Sequence, residues 1–293
     1  MFTSLLVTAL AMYTYAPPAP KPHHAPAARL TLETYVADSA SFHVVSTLIV
    51  GPTEVIVFDA QNHMSDGRRL AERIAATGRH LKALVLSHPD EDHFFGALAV
   101  LDRFPGTPVY MTPAGLREFA RVAEGMRAQL KPRLGAEAPD SLIHPQAMPA
   151  GGLTVDGERV QVIADLQGDV LTPCNTALWI PSIRAILAGD IAFNGVYPYL
   201  AASSEASRSA WHKSLDSLAA YEPAIVVSGH KWPENAPDSP EVLAFMHTYL
   251  NDFEAARKSS ADARAMYLAI LAKYRTLSVP MLLQYSVQMT FGK

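Results

Sequence analysis

The chain has 293 residues, of which 49% are hydrophobic and 18% are charged, a balance that indicates a globular protein with a sizeable core. A net charge of −4 without a basic tract argues against a nucleic-acid-binding surface. The single cysteine, Cys174, excludes an internal disulfide and a cysteine-rich zinc module. No apolar run reaches the roughly 18 residues that a membrane span requires, so we expect no such span.

The first 29 residues differ in composition from the rest of the chain. Residues 2–16 are mostly apolar or small, and residues 17–27 are rich in Pro, Ala and His. An apolar segment followed by a tether favours export, to a periplasm or outside the cell, over a cytoplasmic location. Against a signal peptide, no Lys or Arg precedes the apolar run, and Pro17 is awkward beside a cleavage point. We predict a tail or signal segment over residues 1–29 and a single domain over residues 30–293.

Hydrophobic periodicity in the first half of that domain predicts alternating strands and helices. Strands are predicted at residues 30–35, 42–50, 54–58, 81–86 and 108–111. Helices are predicted at residues 66–77, with Ser65 as N-cap, at 94–104, and from 113 to about 130. Residues 131–152 are rich in Pro, Ala and Gly, and no element is predicted there.

The second half begins with a predicted hairpin that turns at Asp156-Gly157. Further strands are predicted at residues 176–180, 185–187 and 224–227. A helix over residues 207–220 carries Trp211 on its apolar stripe, which predicts a core position for that side chain. The C-terminal extension is predicted to hold two helices within residues 239–274 and a short strand near residues 283–289.

The most informative stretch is Ser-His-Pro-Asp-Glu-Asp-His, which directly follows the predicted strand at residues 81–86. It contains four potential metal ligands, His88, Asp90, Asp92 and His93. Alternate residues of an extended chain point the same way, so the first three side chains can converge, while His93 enters from the start of a helix. Polar residues at such a turn can serve only as caps, but two His and two Asp interleaved in this way favour a metal site.

This stretch resembles the His-x-His-x-Asp-His signature of the metallo-β-lactamase superfamily, with Asp90 in place of the second His. The resemblance implies an α/β fold, the four-layer αββα sandwich built from two similar halves. Polar residues at four predicted strand ends agree with two such halves facing one cleft. In order along the chain, these residues are Asp59, His88, Asp190 and His230.

The resemblance also implies a ligand set for one or two divalent metal ions. Asp190, in Leu-Ala-Gly-Asp, matches the bridging carboxylate, and His230, in Val-Ser-Gly-His, matches the last ligand. Asp59 matches an acidic residue that is usually structural, so it is not counted as a ligand. The predicted ligands are His88, Asp90, Asp92, His93, Asp169, Asp190 and His230.

The third motif of the superfamily, which normally supplies a His, departs from the pattern here. Direct register places Leu171 at the ligand position, and a leucine cannot coordinate a metal. A shift of two residues places Asp169 there, and this is our candidate, with Cys174 as a weaker alternative. One His and two carboxylates would then replace the usual three His. The resemblance implies zinc, but a site with more carboxylates favours manganese or iron. A site that has lost its metal altogether is the extreme alternative.

The resemblance implies a hydrolase that cleaves an ester, lactone, thioester, cyclic amide or similar bond through a metal-activated hydroxide. Asp92 is predicted to orient the nucleophile and to carry its proton. A small apolar or aromatic substrate is predicted from aromatic residues near the cleft, namely Phe94, Phe95, Phe193, Tyr197, Tyr199 and Trp232. Two alternatives remain open: a degenerate relative that binds a small ligand without hydrolysis, and an iron-dependent redox relative.

Overall fold

The computed structural model describes residues 30–292, so the predicted tail and its export signal lie outside the described residues. Six strands form the first sheet, in the order β1 to β6. Strands β1, β2 and β3 pair antiparallel, whereas β3 to β6 pair parallel. The strands are β1 (Thr31–Val36), β2 (Val45–Val50), β3 (Glu54–Phe58), β4 (His80–Val85), β5 (Val109–Met111) and β6 (Gln146–Ala147).

The second sheet has five strands in the order β12-β10-β9-β8-β7. Its strands pair antiparallel except for β10 and β12, which run parallel. A separate two-stranded parallel pair joins β11 to β13. These strands are β7 (Leu153–Val155), β8 (Glu158–Leu166), β9 (Asn175–Ile180), β10 (Ala185–Leu187), β11 (Phe193–Asn194), β12 (Ile225–Val227) and β13 (His230–Lys231).

Helices cover the outer face of each sheet. Helices from the first half pack on the first sheet, and helices from the second half pack on the second sheet. The first group is α1 (Met64–Ala76), α2 (Glu91–Phe94), α3 (Ala97–Arg103) and α4 (Pro113–Leu134). The second group is α5 (Glu205–Ala219), α6 (Glu241–Ser259), α7 (Ala263–Lys273) and α8 (Pro280–Phe291).

Central strands of both sheets are apolar on both faces, and successive side chains enter different cores. In β3, Val57 packs against the helices on the outer face, whereas Ile56 packs between the two sheets. In β9, Trp179 faces the outer helices and Leu178 faces the other sheet. The two sheets therefore share an inner core, and the predicted four-layer αββα sandwich is confirmed.

Several predicted boundaries differ from the structure because tertiary contacts override local signals. Helix α1 begins at Met64, before the predicted cap, and the backbone N–H of Ser65 instead donates to Glu137 Oε2 over 2.9 Å. Residues 131–134, left without an element, continue helix α4 through Pro132. The predicted strand near residues 283–289 is wrong, since the segment is helix α8.

A single helix was predicted over residues 94–104, but the structure contains two short helices, α2 and α3. The chain bends at Gly96, whose backbone lies against Gly67 of helix α1. A Cβ atom at Gly96 would lie 2.2 Å from the carbonyl oxygen of Ala60, so only glycine permits this close approach. The bend leaves His93 in the last turn of α2. Among residues 30–292, no helix is long and apolar enough to cross a membrane.

Candidate metal centre

The carboxyl ends of four strands supply the polar residues of the site. Asp59 follows β3 and His88 lies just beyond β4, and these two strands are parallel neighbours in the first sheet. Asp190 and His230 lie beyond β10 and β12, which are parallel neighbours in the second sheet. In both sheets the strand before the parallel pair runs antiparallel to it. This repeated topology brings four polar strand ends to one edge of the sandwich, as the sequence predicted.

Three overlapping groups of side chains in this region could hold a metal ion. Within each group the potential ligand atoms all lie within 4.8 Å of one another. We call His88, Asp90 and Asp169 the first cluster, and Asp92, His93 and His230 the second cluster. The third group, His88, His93 and Asp190, joins the other two. All seven residues predicted as ligands are therefore brought together.

The first cluster contains the residue about which the sequence was least clear. Asp169 is 2% exposed, and its Oδ1 atom lies 3.7 Å from His88 Nε2. On the other side, Asp90 Oδ2 lies 3.8 Å from the same nitrogen. Leu171, which direct register placed at the ligand position, is 58% exposed. Cys174 is buried and belongs to none of the three groups. The fold therefore favours Asp169 as the substitute for the missing His.

The second cluster surrounds the carboxylate of Asp190. Asp190 Oδ1 lies 3.2 Å from His93 Nε2, and Asp190 Oδ2 lies 3.1 Å from His230 Nε2. Asp92 offers one oxygen 3.7 Å from His93 Nε2 and the other 3.3 Å from His230 Nε2. Asp190 thus contacts residues of the second cluster and also belongs to the group that contains His88.

Each histidine of the site is held through its Nδ1 atom, which leaves Nε2 facing the other ligands. His88 Nδ1 lies 2.8 Å from the hydroxyl of Ser87, and His230 Nδ1 donates to the Phe42 carbonyl oxygen over 2.8 Å. His93 Nδ1 lies 2.9 Å from Asp59 Oδ2. Partners of this kind fix the orientation and tautomer of metal-ligating histidines. Asp59 therefore contacts the Nδ1 atom of His93 and orients its ring, in agreement with the structural role predicted for Asp59.

Four buried ligand atoms in this centre have no hydrogen-bond partner within the part of the chain that the structure describes. These atoms are His88 Nε2, His93 Nε2, Asp169 Oδ1 and Asp190 Oδ1. Buried polar atoms are normally paired, and each unpaired one carries a desolvation cost of about 1–3 kcal/mol. Imidazole nitrogens and carboxylate oxygens are suitable donors for divalent metal ions. The donor set therefore fits one or two such ions.

The sequence model of the metallo-beta-lactamase superfamily matches residues 41–230, a range that contains all seven clustered residues. The chain belongs to the metallo-β-lactamase superfamily. The predicted resemblance is thus confirmed. No curated protein matches the chain significantly.

Solved metallo-β-lactamase structures share the fold of this superfamily member. A metallo-beta-lactamase family protein from Thermus thermophilus is 18% identical with a TM-score of 0.59, covering 87% of this chain and 92% of that chain. A metallo-beta-lactamase from Pontibacter korlensis is 15% identical with a TM-score of 0.55, and the match covers 78% of this chain and 97% of that chain. The DIM-1 metallo-beta-lactamase exposed to ceftazidime is 18% identical with a TM-score of 0.52, and the match covers 78% of this chain and 98% of that chain. Identities this low show the fold alone.

Opposite charges in the metal centre of this superfamily member shift each other's pKa values. Burial alone lowers the pKa of His88, but the nearby carboxylates Asp169 and Asp90 outweigh it and raise the pKa to about 9. Burial likewise opposes protonation of His230, whose pKa is raised to about 10 by Asp190 and Asp92. Burial would raise the pKa of Asp190, yet the charges of His230 and His93 hold it well below its usual value. In the protein alone, protons therefore partly balance the carboxylates that a metal ion would otherwise neutralise.

A cavity of about 640 Å³ opens onto the metal centre of this metallo-β-lactamase-fold protein. Its volume lies within the range of roughly 300–1,000 Å³ that is typical of small-molecule sites. Of the six aromatic residues predicted near the cleft, Tyr199 lines the cavity, while the three phenylalanines and Tyr197 are buried in the cores. Trp232 is exposed and stacks on His43 instead, with ring centroids 4.4 Å apart. The residues that line the cavity were therefore only partly identified from the sequence.

Several cavity residues were missed because they belong to distant segments. Met126 and Leu134 come from helix α4, and Met281 and Tyr285 come from helix α8. The spacing of four between Met281 and Tyr285 would have indicated a shared helical face, had the segment been predicted as a helix.

Proposed function

We propose that this chain is a metal-dependent hydrolase that cleaves an ester, lactone, thioester or similar bond of a small molecule. The observation that carries the proposal is the convergence of seven potential ligands, four of whose buried atoms make no hydrogen bond within residues 30–292, beside a cavity large enough for a small molecule. Asp90, Asp92, Asp169, Asp190 and His230 line that cavity, so a bound substrate would reach the centre. Superfamily membership supports metal-assisted hydrolysis as the general chemistry.

The first cluster would hold one metal ion and the second cluster another, and Asp190 would be available as a ligand beside both. When bound, two such ions lower the pKa of water and stabilise negative charge that develops on a substrate oxygen. Asp59 and Phe42 hold His93 and His230 with their Nε2 atoms towards the ligand groups. These contacts reduce the freedom that the two imidazoles would have to lose on binding metal.

Asp92 is the proposed proton acceptor of the reaction. Its carboxylate lines the cavity, and its oxygens lie 3.3 Å from His230 Nε2 and 3.7 Å from His93 Nε2. Burial alone would raise the pKa of Asp92, but the charges of these two histidines lower it, so the carboxylate is ionised at neutral pH. An ionised carboxylate at this position can orient an attacking water molecule and accept its proton.

The composition of the first cluster favours a hard metal ion in that position. It offers one imidazole and two carboxylates. A site with this ligand set suits manganese or iron better than a site with three histidines does. We therefore propose manganese or iron in the first cluster and zinc, manganese or iron in the second. Comparison of hydrolytic rates after reconstitution with each metal separately would test this assignment.

Metal analysis of the purified protein is the decisive experiment. We expect close to two ions per chain in the native protein and fewer in His88→Ala and Asp190→Ala. His144→Ala is the matched control, because His144 is exposed and belongs to none of the clusters, and it should retain the native metal content. A native protein that takes up no metal even after reconstitution would overturn the proposal. Substoichiometric metal, with no loss of thermal stability on chelation, would instead favour a relative that binds a ligand without hydrolysis.

Hydrolysis itself requires a separate measurement. The metal-loaded protein would be screened against aryl esters, thioesters and lactones, in parallel with Asp92→Asn. We expect kcat of the variant to fall by about 100-fold or more, since general acid–base groups contribute roughly 10²–10⁴-fold. A metal-loaded protein that hydrolyses none of these substrates would contradict the reaction class while leaving the metal site intact.

A further inference from the structure

Helix α8 forms one wall of the cavity, although it lies outside the segment that the superfamily model matches. Its side chains Met281, Leu282 and Tyr285 line the cavity that also contains the ligand carboxylates. The helix bears no charged residue. The C-terminal extension of this chain therefore adds an apolar surface to a site whose chemistry comes from the strand ends.

Hydrogen bonds fix this helix to the loop that follows Asp190. The backbone N–H of Ser278 donates to the Gly195 carbonyl oxygen over 2.8 Å, and Tyr197 N–H donates to the Ser278 carbonyl oxygen over 3.1 Å. Within α8, the hydroxyl of Ser286 accepts from the backbone N–H of Leu200 over 2.8 Å, and Ser286 is completely buried. These contacts hold α8 as a fixed wall rather than a loosely attached end of the chain.

A second apolar surface comes from helix α4, which contributes Met126 and Leu134 to the same cavity. Some carboxylates of the cavity come from residues 87–93, which we call the motif loop. The others come from the loops that bear Asp169 and Asp190. The cavity thus combines an acidic, metal-binding region with apolar side chains from α4 and α8. Arg133 of α4 also lines the cavity, so one cationic side chain borders the apolar surface between the two helices.

The apolar side chains of α8 are unusually accessible for their size. Met281 and Tyr285 are each 41% exposed, whereas their neighbours Leu282 and Leu283 are buried in the core. Covering apolar surface of this kind with an apolar group removes it from water and stabilises the complex. Methionine adapts its shape to a bound apolar group because its side chain is flexible and polarisable.

We propose that the site accepts substrates with an extended apolar arm, such as a medium-length acyl chain, that lies between α4 and α8. This inference rests on the proposed hydrolase function and narrows its substrate class. The occupant is part of the substrate, because the apolar walls and the ligand carboxylates line one continuous cavity. The reacting bond would lie at the metal clusters and the apolar arm against Met281, Leu282 and Tyr285.

The test compares p-nitrophenyl octanoate with p-nitrophenyl acetate on the full, metal-loaded chain. We expect the native protein to prefer the octanoate ester by at least tenfold in kcat/KM, because a few methylenes in an apolar pocket give about 10–200-fold discrimination. Met281→Glu should reduce this preference about tenfold, mainly by raising KM for the octanoate ester. The conservative Met281→Leu should retain the preference.

Met289→Glu is the matched control, because it introduces the same charge into the same helix at a position away from the cavity. Met289 lies two turns further along α8, is 47% exposed and does not line the cavity, so its variant should retain the native preference. Equal losses in Met281→Glu and Met289→Glu would overturn the proposal, as would a native protein without chain-length preference. A native protein that is dimeric in solution and becomes monomeric in Met281→Glu, with unchanged preference, would also overturn it by assigning this face to a second copy of the chain.

Binding of octanoate separates this inference from the hydrolase proposal. Calorimetry should detect octanoate but not acetate binding to the native protein, with affinity reduced about tenfold in Met281→Glu. Octanoate binding without hydrolysis of any ester would reject the hydrolase function and support the apolar arm. Hydrolysis of both esters at equal rates without octanoate binding would reject the apolar arm and support the hydrolase.

Discussion

The contact between Asp59 and His93 shows how a residue that is not itself a proposed ligand can fix the orientation of one that is. Asp59 lies in the left-handed region, with φ of 62°, a conformation that costs energy for most residues but that Asp tolerates. Its two oxygens accept from Ser87 N–H and contact His93 Nδ1 over 2.7 and 2.9 Å, respectively. One buried carboxylate thus fixes both the start of the motif loop and the orientation of a proposed ligand.

Asp59→Asn should weaken metal binding without removing a ligand. The amide keeps the size of the carboxylate but loses its charge, so His93 loses the partner that raises the basicity of its imidazole. We expect metal affinity to fall by about 10–100-fold, as measured by competition with a chromophoric chelator. Asp102→Asn, at an exposed position in α3, is the control and should bind metal like the native protein. Native affinity in Asp59→Asn would contradict a role for Asp59 in the site.

The titration of His88 and His230 predicts how the metal-free protein responds to pH. Their pKa values in the fold are raised from 6.5 to about 9 and about 10, because nearby carboxylates outweigh the effect of burial. A raised pKa adds stability that is fully present below the unfolded value and is lost as pH rises through the folded value. We therefore expect the Tm of the metal-free protein to fall between about pH 7 and pH 10. Calorimetry would show this trend, and His230→Gln should flatten it.

The same experiment on metal-loaded protein provides a contrast. Bound metal ions replace the protons on the imidazoles, so the Tm should depend less on pH over that range. A metal-free protein whose Tm rises towards pH 10 would show that these histidines are not stabilised by their carboxylate neighbours.

At the scale of elements, the loop between β12 and β13 depends on close backbone packing. A Cβ atom at Gly229 would lie 2.0 Å from Asp190 Oδ1, the proposed bridging group. Gly229 N–H also donates to the carbonyl oxygens of Gly189 and Ala192 over 2.9 and 3.1 Å. The glycine therefore allows the end of β12 to approach the end of β10 closely enough for His230 and Asp190 to share a site.

Gly229→Ala should destabilise the protein and disturb the metal centre. Overpacking of this kind costs about 1–3 kcal/mol, and displacement of Asp190 should lower metal content as well. Gly125→Ala in helix α4 is the matched control, since a Cβ atom there meets nothing within 4 Å. It should stabilise the protein by about 0.4–1 kcal/mol. Chemical denaturation of both variants would compare the two, and equal effects would contradict the steric explanation.

At the scale of the whole molecule, the candidate metal centre takes its residues from both halves of the sandwich. The first half of the chain supplies four of the proposed ligands, which follow strand β4 of the first sheet: His88, Asp90, Asp92 and His93. The second half supplies the other three, Asp169, Asp190 and His230. Ser87 and Thr176 also link the two halves directly, through a backbone hydrogen bond of 2.9 Å. A metal ion that takes ligands from both halves should stabilise the packing of the two sheets.

Chelation should therefore lower the thermal stability of the whole protein. A ligand at 100 times its Kd stabilises the folded state by about 2.7 kcal/mol, and each kcal/mol corresponds to roughly 2–4 °C in a protein of this size. We expect the Tm to fall by about 5 °C or more on addition of chelator and to recover when metal is restored. Scanning calorimetry of native protein and Asp190→Ala would measure this. Unchanged Tm in the native protein would indicate that its centre holds no metal.

Local patterns in the sequence predicted much of the fold. Strand β3 was predicted at the residues where it occurs, since a short, continuous apolar run after a turn favours a buried strand. Helix α8 was predicted as a strand because a short apolar segment is ambiguous between the two structures. Its helical form is stabilised by burial of Leu282, Leu283 and Val287 in the core of the second half.

The sequence by itself identified the family resemblance, the strand ends that carry polar residues, and the seven proposed ligands, with Cys174 left open as an alternative to Asp169. Only the tertiary structure favours Asp169 over Cys174, because Asp169 lies beside His88 whereas Cys174 belongs to none of the three ligand groups. It also decided the contact between Asp59 and His93 and the apolar wall from α8. Periodicity is a local property, whereas these contacts join residues far apart in the chain through the packing of two sheets.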